Sequence, residues 1–378
     1  MPTPIPAFSL GIEEEYLLVD RTTGDLVPDP PPSLMAEAAE LLPGQVNPEF
    51  LRCQIEIGTT KCATIAQARD DLRRLRAAVV NVAGRHGLAP IAAATHPFAG
   101  WAPQKHTDRE RYSNLARDLG APARRLVICG LHVHAGIEDP ELRVDLMNQV
   151  RYFLPHLLSL TTSSPFWRGV DSGLMSYRLA VLNELPRTGT PEAFASWGDF
   201  QRHLGVLVDA GVIEDGTKLW WDVRPSVRFP TLEMRITDVP TRFEDSLTVA
   251  ALYLCLLRLC YRLRVGNVTW RRYAQMLLEE NRWRAQRYGL DAGLVDFGRG
   301  EVVPYADLLE EMIALVREDA EALGCTQEVL NARDILRRGT SAHRQRDIYQ
   351  KAVAAGATPD AALREVVQWL VAETAHGL

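Results

Sequence analysis

Lysine is scarce in this chain of 378 residues: of 42 basic residues only Lys61, Lys105, Lys218 and Lys351 are lysine. With a formal net charge of −6 and no run of one sign, the sequence also lacks the basic stripe of a nucleic-acid binder, and no nucleic-acid partner is expected. Cysteine is sparse and unpatterned. Cys53, Cys62, Cys129, Cys255, Cys260 and Cys325 form no CxxC pair, so they read as reduced, mostly buried thiols of a cytoplasmic protein rather than as disulfides or a zinc site. Long apolar runs are missing too. Residues 1–10 have no basic start and are not read as a signal peptide. The apolar stretch from Val249 to Leu257 is cut by Arg258 and is too short to span a bilayer, so no membrane is expected.

Several motifs are absent. Without GxxxxGK[ST] or a convincing GxGxxG, no glycine loop cradles phosphate; without GxSxG there is no serine nucleophile elbow; without HExxH the usual zinc helix is excluded. The arginine surplus suits bidentate handling of phosphates and carboxylates, although a GC-rich genome explains it equally well.

What is present is an ordinary globular composition, 47% apolar, with strands concentrated in the first two thirds. Alternation predicts strands over 8–19, 50–59, 88–95, 125–137, 219–229 and 231–238, the last two joined by a tight turn at Pro230. A short helix is expected over 33–42. A long amphipathic one follows Thr64 with Ile65, Ala68, Leu72, Leu75, Val79 and Val82 on one side and a stop at Gly84. Asp139-Pro140 is a cap and first-turn proline for a helix running towards Leu160 with a bend at Pro155. Beyond Arg242 the pattern is helical except for 289–304, a lid or a plain surface loop. The stretch 247–257 is read as core, with a homodimer face as the other reading. One curved sheet with helices outside, a single α+β domain over residues 1–378, is the simplest architecture.

Four strand-like segments share one oddity: their polar residues sit two apart and so project from one face. Glu13 and Glu15 share a face opposite Ile12, Glu14 and Tyr16. Glu56 opposes Ile55 and Ile57, His132 and His134 oppose their apolar neighbours, and Glu233 and Arg235 oppose Leu232, Met234 and Ile236. Any one of these could be a solvated amphipathic edge. Together they show Glu, His and Arg but no Lys, which is not a usual solvent face. Converging carboxylates repel unless cations neutralise them, and a carboxylate-rich set with imidazoles suits Mg²⁺ or Mn²⁺ better than zinc. Such ions suggest phosphates, held by metals and arginines. Arg178, Arg224, Arg235, Arg284 and Arg287 are the candidates, with a surface or structural role as the alternative, weakest for Arg224 and Arg235.

These segments, with Gly130-Leu131-His132-Val133-His134, Ser164-Pro165-Phe166-Trp167, Trp220-Trp221-Asp222-Val223-Arg224-Pro225, Thr231-Leu232-Glu233-Met234-Arg235 and Asn281-Arg282-Trp283-Arg284-Ala285, resemble the bacterial carboxylate–amine ligases related to glutamate–cysteine ligase, its second family. The resemblance implies a curved, mainly antiparallel β-sheet funnel of the glutamine synthetase type flanked by α-helices. It implies ATP and two or three Mg²⁺ or Mn²⁺ ions, with Glu13, Glu15, Glu56, His132 and Glu233 as metal ligands. Glu56 and Arg235 are then the catalytic residues, Arg235 also binding phosphate, and Arg178, Arg224, Arg284 and Arg287 serve the nucleotide or an acidic substrate. His134 would support a ligand. Ala135 departs from the pattern, where a bulkier apolar residue is expected, but it points to the back of the sheet. The implied reaction forms an amide, γ-glutamyl by family default, between a small amino-acid-like carboxylate and an amine through an acyl phosphate. Two other readings compete. A two-metal Glu/His hydrolase or lyase without nucleotide leaves the arginines unused, and a non-catalytic binding protein leaves the full acidic set unexplained.

Overall fold

The computed structural model of the chain describes residues 5–108 and 110–378. Its centre is a seven-stranded sheet built from β1 (Leu10–Asp20), β2 (Val46–Pro48), β3 (Gln54–Gly58), β4 (Leu88–Ile91), β5 (Leu131–Gly136), β6 (Val223–Pro225) and β7 (Thr231–Met234). The order is β6-β7-β5-β1-β3-β2, every pairing is antiparallel, and β4 joins the far end of β1. The sheet is open, with β6 and β2 at its edges.

β1 carries the pattern that organises the molecule. Over 10–16 its residues alternate between buried and half-buried, so Ile12, Glu14 and Tyr16 go to the core and Gly11, Glu13 and Glu15 to the other face. From Leu17 to Val19 both faces are buried. The strand stops where Asp20 accepts hydrogen bonds from the backbone N–H of Thr22 (2.9 Å) and Thr23 (2.8 Å), an Asx turn completed by Gly24 at φ +76°.

Helices back the core face. Helix α1 (Ile65–Arg85) is capped by Thr64, whose Oγ1 accepts from Gln67 N–H at 3.2 Å, and it buries the six apolar residues expected of it. It also buries Arg76, which the sequence pattern does not explain. Arg76 pairs with Glu14 on the core face of β1, Nε to Oε2 at 2.6 Å and Nη2 to Oε1 at 2.8 Å. The remaining guanidinium hydrogens reach the carbonyls of Thr241 and Pro240, while Ser246 and the Tyr16 hydroxyl complete the carboxylate. Both side chains are fully buried, and the pair persists because every polar atom is satisfied.

Helix α2 (Phe243–Val265) is long and apolar enough to cross a bilayer, longer than the run read from the sequence. Yet 83% of its most apolar window is buried inside the fold, and 247–257 lies wholly in the core rather than on a dimer face. All six cysteines are buried and free.

Several expected elements are shorter. The segment 125–137 is a strand only from Leu131, and 219–229 splits. Trp220-Trp221 pairs in parallel with Thr188-Gly189, and β6 begins at Val223. The hairpin linking β6 to β7 is the five-residue loop 226–230, not a tight turn. The helix after Asp139 ends at Val150 and a second begins at Leu154, with Pro155 in its first turn. The loop 289–304 holds a small hairpin, Leu294–Asp296 with Glu301–Val303, tied down by Asn281, which bonds Val295 through both side-chain amide atoms.

Candidate active site

Strand register brings the polar face together. Glu13 stands opposite His132, Glu15 opposite Glu56, Glu233 opposite His134, and Arg224 opposite Glu233. Side chains separated by up to 220 positions thus occupy one patch of sheet. It forms the wall of a cavity of about 310 Å³ that includes Glu13, Glu15, Glu56, His132, Glu233 and Arg235.

The acids form two clusters. Ligand atoms of Glu13, His134 and Glu233 lie within 4.8 Å of one another, as do those of Glu15, Glu49 and Glu56. His132 lies between them, Nδ1 3.4 Å from Glu13 and Nε2 3.8 Å from Glu15. The electrostatics of the two differ. In the first, although burial opposes ionisation, the adjacent His132 and His134 rings hold Glu13 well below the usual carboxylate range. Glu233 is lowered against its burial by Arg235 and Arg224. In the second cluster burial, with Glu49 next, pushes Glu15 up to about 8. Burial and the charges of Glu49, Glu13 and Glu15 push Glu56 well above its ordinary value. The neutral donors there are the Gly130 N–H on Glu15 (2.6 Å) and the Asn47 amide on Glu56 (3.3 Å). Burial, with Arg235 beside it, lowers His132 to about 4, so its imidazole is neutral and a competent ligand.

This donor set fits divalent, oxygen-seeking cations. Three carboxylates share one spot, with Arg178 and Arg235 only partly offsetting the charge of Glu15, and the Nε2 atoms of His132 and His134 are buried without a hydrogen bond. The predicted ligands Glu13, Glu15, Glu56, His132 and Glu233 are therefore neighbours. His134, taken as support, stands in a cluster itself. Its Nδ1 is 3.0 Å from Thr231 Oγ1, which orients the ring.

The arginines separate. Arg235 lines the cavity and contacts Glu233 and, at 3.4 Å, His132. Arg224 also lines it, but its donors are committed: two to Glu233 (3.0 and 3.2 Å) and Nη1 to the carbonyls of Thr217 and Leu219. It holds Glu233 in place. Arg178 lies behind the site and props the carbonyls of Arg235 (3.1 Å) and Ile236 (3.2 Å). Arg284 and Arg287 are not on the cavity wall. Arg284 binds the carbonyls of Ala292 and Gly293, and Arg287 that of Gly173. The sequence reading put these three with the nucleotide or an acidic substrate, with a structural role as the alternative; in the fold their donors tie loops and strand ends.

Two features escaped sequence reasoning. Glu49 lies just after β2, outside any alternating run, and reaches the site only because Asn47 pairs with Glu56 in register. Arg282 is the member of the Asn281–Ala285 motif that matters most here. Buried, it grips Asp222 (2.7 and 3.1 Å), whose carbonyl receives Arg235 N–H at 2.8 Å and so positions that arginine.

Comparison with known proteins agrees with this fold. The family described as Glutamate-cysteine ligase family 2 (GCS2) matches residues 9–367. A Rhodospirillum rubrum protein named "Putative glutamate--cysteine ligase 2" is 62% identical over 98% of this chain and 96% of its own length. One of the same name from Jannaschia sp. is 57% identical over 96% of each. Among solved structures, the Francisella tularensis glutamate–cysteine ligase in complex with AMP superposes with a TM-score of 0.68 at 13% identity, over 97% of this chain and 89% of that one. A bifunctional glutathione synthetase from Pasteurella multocida gives 0.65 at 16% identity, over 97% of this chain and 52% of its own. At such identities these two speak for the fold. With a family match over nearly its whole length and an antiparallel sheet gathering the expected acids, the chain belongs to glutamate–cysteine ligase family 2.

Proposed function

We propose that this protein is an ATP- and divalent-metal-dependent ligase that joins a carboxylate to an amine, with residues 1–378 as a single cytoplasmic catalytic domain. The observation that carries this is the union of two carboxylate-bearing clusters with Arg235 in a single cavity. Glu15, Glu49 and Glu56 would hold one Mg²⁺ or Mn²⁺ ion and Glu13, His134 and Glu233 another, with His132 between. Bound there, the ions supply charge neutralisation for the triphosphate.

In the reaction a substrate carboxylate oxygen attacks the γ-phosphorus of ATP. The bond to the β-phosphate oxygen breaks, giving ADP and an acyl phosphate. The amine nitrogen then attacks the acyl carbon, the C–O bond to phosphate breaks, and the amine surrenders one proton as inorganic phosphate leaves. This chain provides positioning rather than a covalent nucleophile. Arg235 places a fixed planar cation where charge accumulates on the transferred group. Arg224 and the Arg282–Asp222 pair hold Glu233 and the Arg235 backbone steady. A γ-glutamyl bond to cysteine, named by the family, is the first substrate pair to test.

A panel of amino acids screened for ATP-dependent phosphate release tests the reading. Release that requires both an acid and an amine is expected. Metal-dependent hydrolysis that proceeds without ATP would replace it with the hydrolase reading.

A further inference from the structure

Arg235 lies just past the end of β7, where the regular pairing of the sheet stops. Glu233 and Met234 still pair with His134 and Val133, and pairing resumes only where Asp238 meets Gly130. Three residues, Arg235, Ile236 and Thr237, therefore face two, His132 and Leu131. This is a β-bulge, a device that re-aims a side chain beside a site. It also takes backbone groups out of the ladder, and in so buried a segment these need other partners. The N–H groups of Arg235 (2.8 Å) and Ile236 (3.1 Å) converge on one carbonyl, that of Asp222. The carbonyls of the same two residues converge on one guanidinium, that of Arg178, Nη2 to Arg235 at 3.1 Å and Nη1 to Ile236 at 3.2 Å.

The first of these holds is anchored by Arg282 on the Asp222 carboxylate. The second has no ion pair of its own. Arg178 is buried, pairs with no carboxylate within 4 Å among the described residues, and keeps an Nε without a hydrogen bond. Burial disfavours its charge, and Asp238, ahead of Glu15, supports it. Asp238 reaches Arg178 through Ser164. Its carboxylate, 0% exposed, accepts from the Ser163 N–H (2.9 Å) and the Ser164 hydroxyl (2.8 Å) on Oδ2 and from the Ser176 hydroxyl (2.8 Å) on Oδ1. Ser164 Oγ in turn accepts the Arg178 N–H at 3.1 Å. An ionised carboxylate costs far more to bury than an asparagine, which would accept from the same hydroxyls. What the charge adds is attraction for a buried guanidinium two residues beyond Ser176. On the other side, a Cβ on Gly130 would lie 2.4 Å from Arg178 Nη2, so the guanidinium rests against that backbone.

Building on the ligase reading, we propose that Asp238 is a positioning residue for Arg235. Through Ser164 and its own charge it keeps Arg178 seated against Gly130. Arg178 then fixes both carbonyls of the bulge while Asp222, held by Arg282, fixes both N–H groups, and the Arg235 side chain enters the cavity at one angle. The bulge frees Arg235 from the geometry of the ladder, and the two buried charged systems restore the rigidity that the ladder would have supplied. The effect falls on phosphoryl transfer, where Arg235 acts, and not on the binding of ATP or metal.

Hydrogen exchange on the metal-free full chain reads this directly. Asp238→Asn and Ser164→Ala should each speed exchange over residues 231–238 at least ~10-fold and leave that over 10–16 unchanged. In ATP turnover with L-glutamate and L-cysteine, each should lower kcat at least ~10-fold, with the KM for ATP and the calorimetric affinity for Mn²⁺ held. In an Arg235→Lys background the same changes should alter kcat by less than about 2-fold, because the group they position is already gone. Ser164→Ala removes a single hydroxyl and carries the test alone where Asp238→Asn does not fold. Unchanged exchange over 231–238, or a loss of kcat that multiplies with that of Arg235→Lys, overturns the assignment and leaves Asp238 a structural acid. Absence of ATP-dependent phosphate release in the unmodified protein counts instead against the ligase reading, and the exchange result still decides whether Asp238 holds the bulge.

Discussion

Glu15 and Glu56 stand directly opposite each other on adjacent antiparallel strands, with a Glu49 oxygen within reach of both. In a folded protein, like charges are brought this close only where something else neutralises them.

The pH dependence of stability follows from that pair. Glu15 titrates at about 8 in the fold against an ordinary 4.5, because burial and Glu49 disfavour its charge. A folded-state pKa above the unfolded value means the protonated form is the stabilising one. Its contribution is complete below the unfolded pKa and disappears as pH rises through the folded one. The metal-free protein should therefore lose more stability between about pH 5.5 and about pH 8 than its Glu15→Gln variant does. Glu15→Gln should flatten the slope, and saturating Mg²⁺ or Mn²⁺ should reverse it. Scanning calorimetry across that range decides the matter; equal profiles for the metal-free wild type and Glu15→Gln speak against a raised Glu15.

Activity should fall sharply without the fold being lost when Glu56 is replaced by alanine. Removing one inner carboxylate costs several kcal/mol of barrier, on the order of 10³-fold in ATP turnover. Arg235→Lys keeps the charge but not the planar fork and should also lose about 10²-fold or more. Near-normal turnover in Glu56→Ala would remove it from the ligand set.

On the opposite face of the same strand, Glu14 and Arg76 give a stability prediction. Arg76→Met leaves a carboxylate buried and unpaired and should cost about 3–5 kcal/mol of unfolding free energy. The double variant Glu14→Leu/Arg76→Met should recover most of that loss, since well-packed apolar pairs replace buried ion pairs at little cost. Urea denaturation of the two variants tests it, and an additive double variant would contradict the coupling.

Gly130→Ala should damage the site through Arg178. The new Cβ would sit 2.4 Å from Arg178 Nη2, a side chain held by the carbonyls of Arg235 and Ile236. Relief requires Arg178 to give up those carbonyls or the backbone that carries Arg235 to move, with a stability loss of about 1–3 kcal/mol and a larger loss of turnover. Gly205→Ala, in the exposed-sided helix 197–209 with nothing within 4 Å, is the control and should be neutral or stabilising by about 0.5–1 kcal/mol.

Much of the site was legible in local pattern. Glu13 and Glu15, and His132 and His134, each sit two apart in a strand, whose period of two sends both to one face whatever the rest of the chain does, and Arg235 follows Glu233 by two just past the end of β7. The capped helices after Thr64 and Asp139 were legible for the same reason: cap, stripe and first-turn proline act within a few residues. The sequence by itself thus determined the elements, their faces and, through its motifs, the family.

Only tertiary structure decided which faces meet and which charges are spent. Glu49 joins Glu15 and Glu56 through the register of β2 on β3, and no periodicity encodes a register between strands. Arg178, Arg224, Arg284 and Arg287 look alike in sequence, yet the first, third and fourth satisfy backbone carbonyls and the second holds Glu233. Arg76 carries no sequence signal of its burial and is sealed against Glu14. An arginine's role depends on which acceptors burial leaves within its reach, and that is a property of packing across the whole chain rather than of neighbours along it.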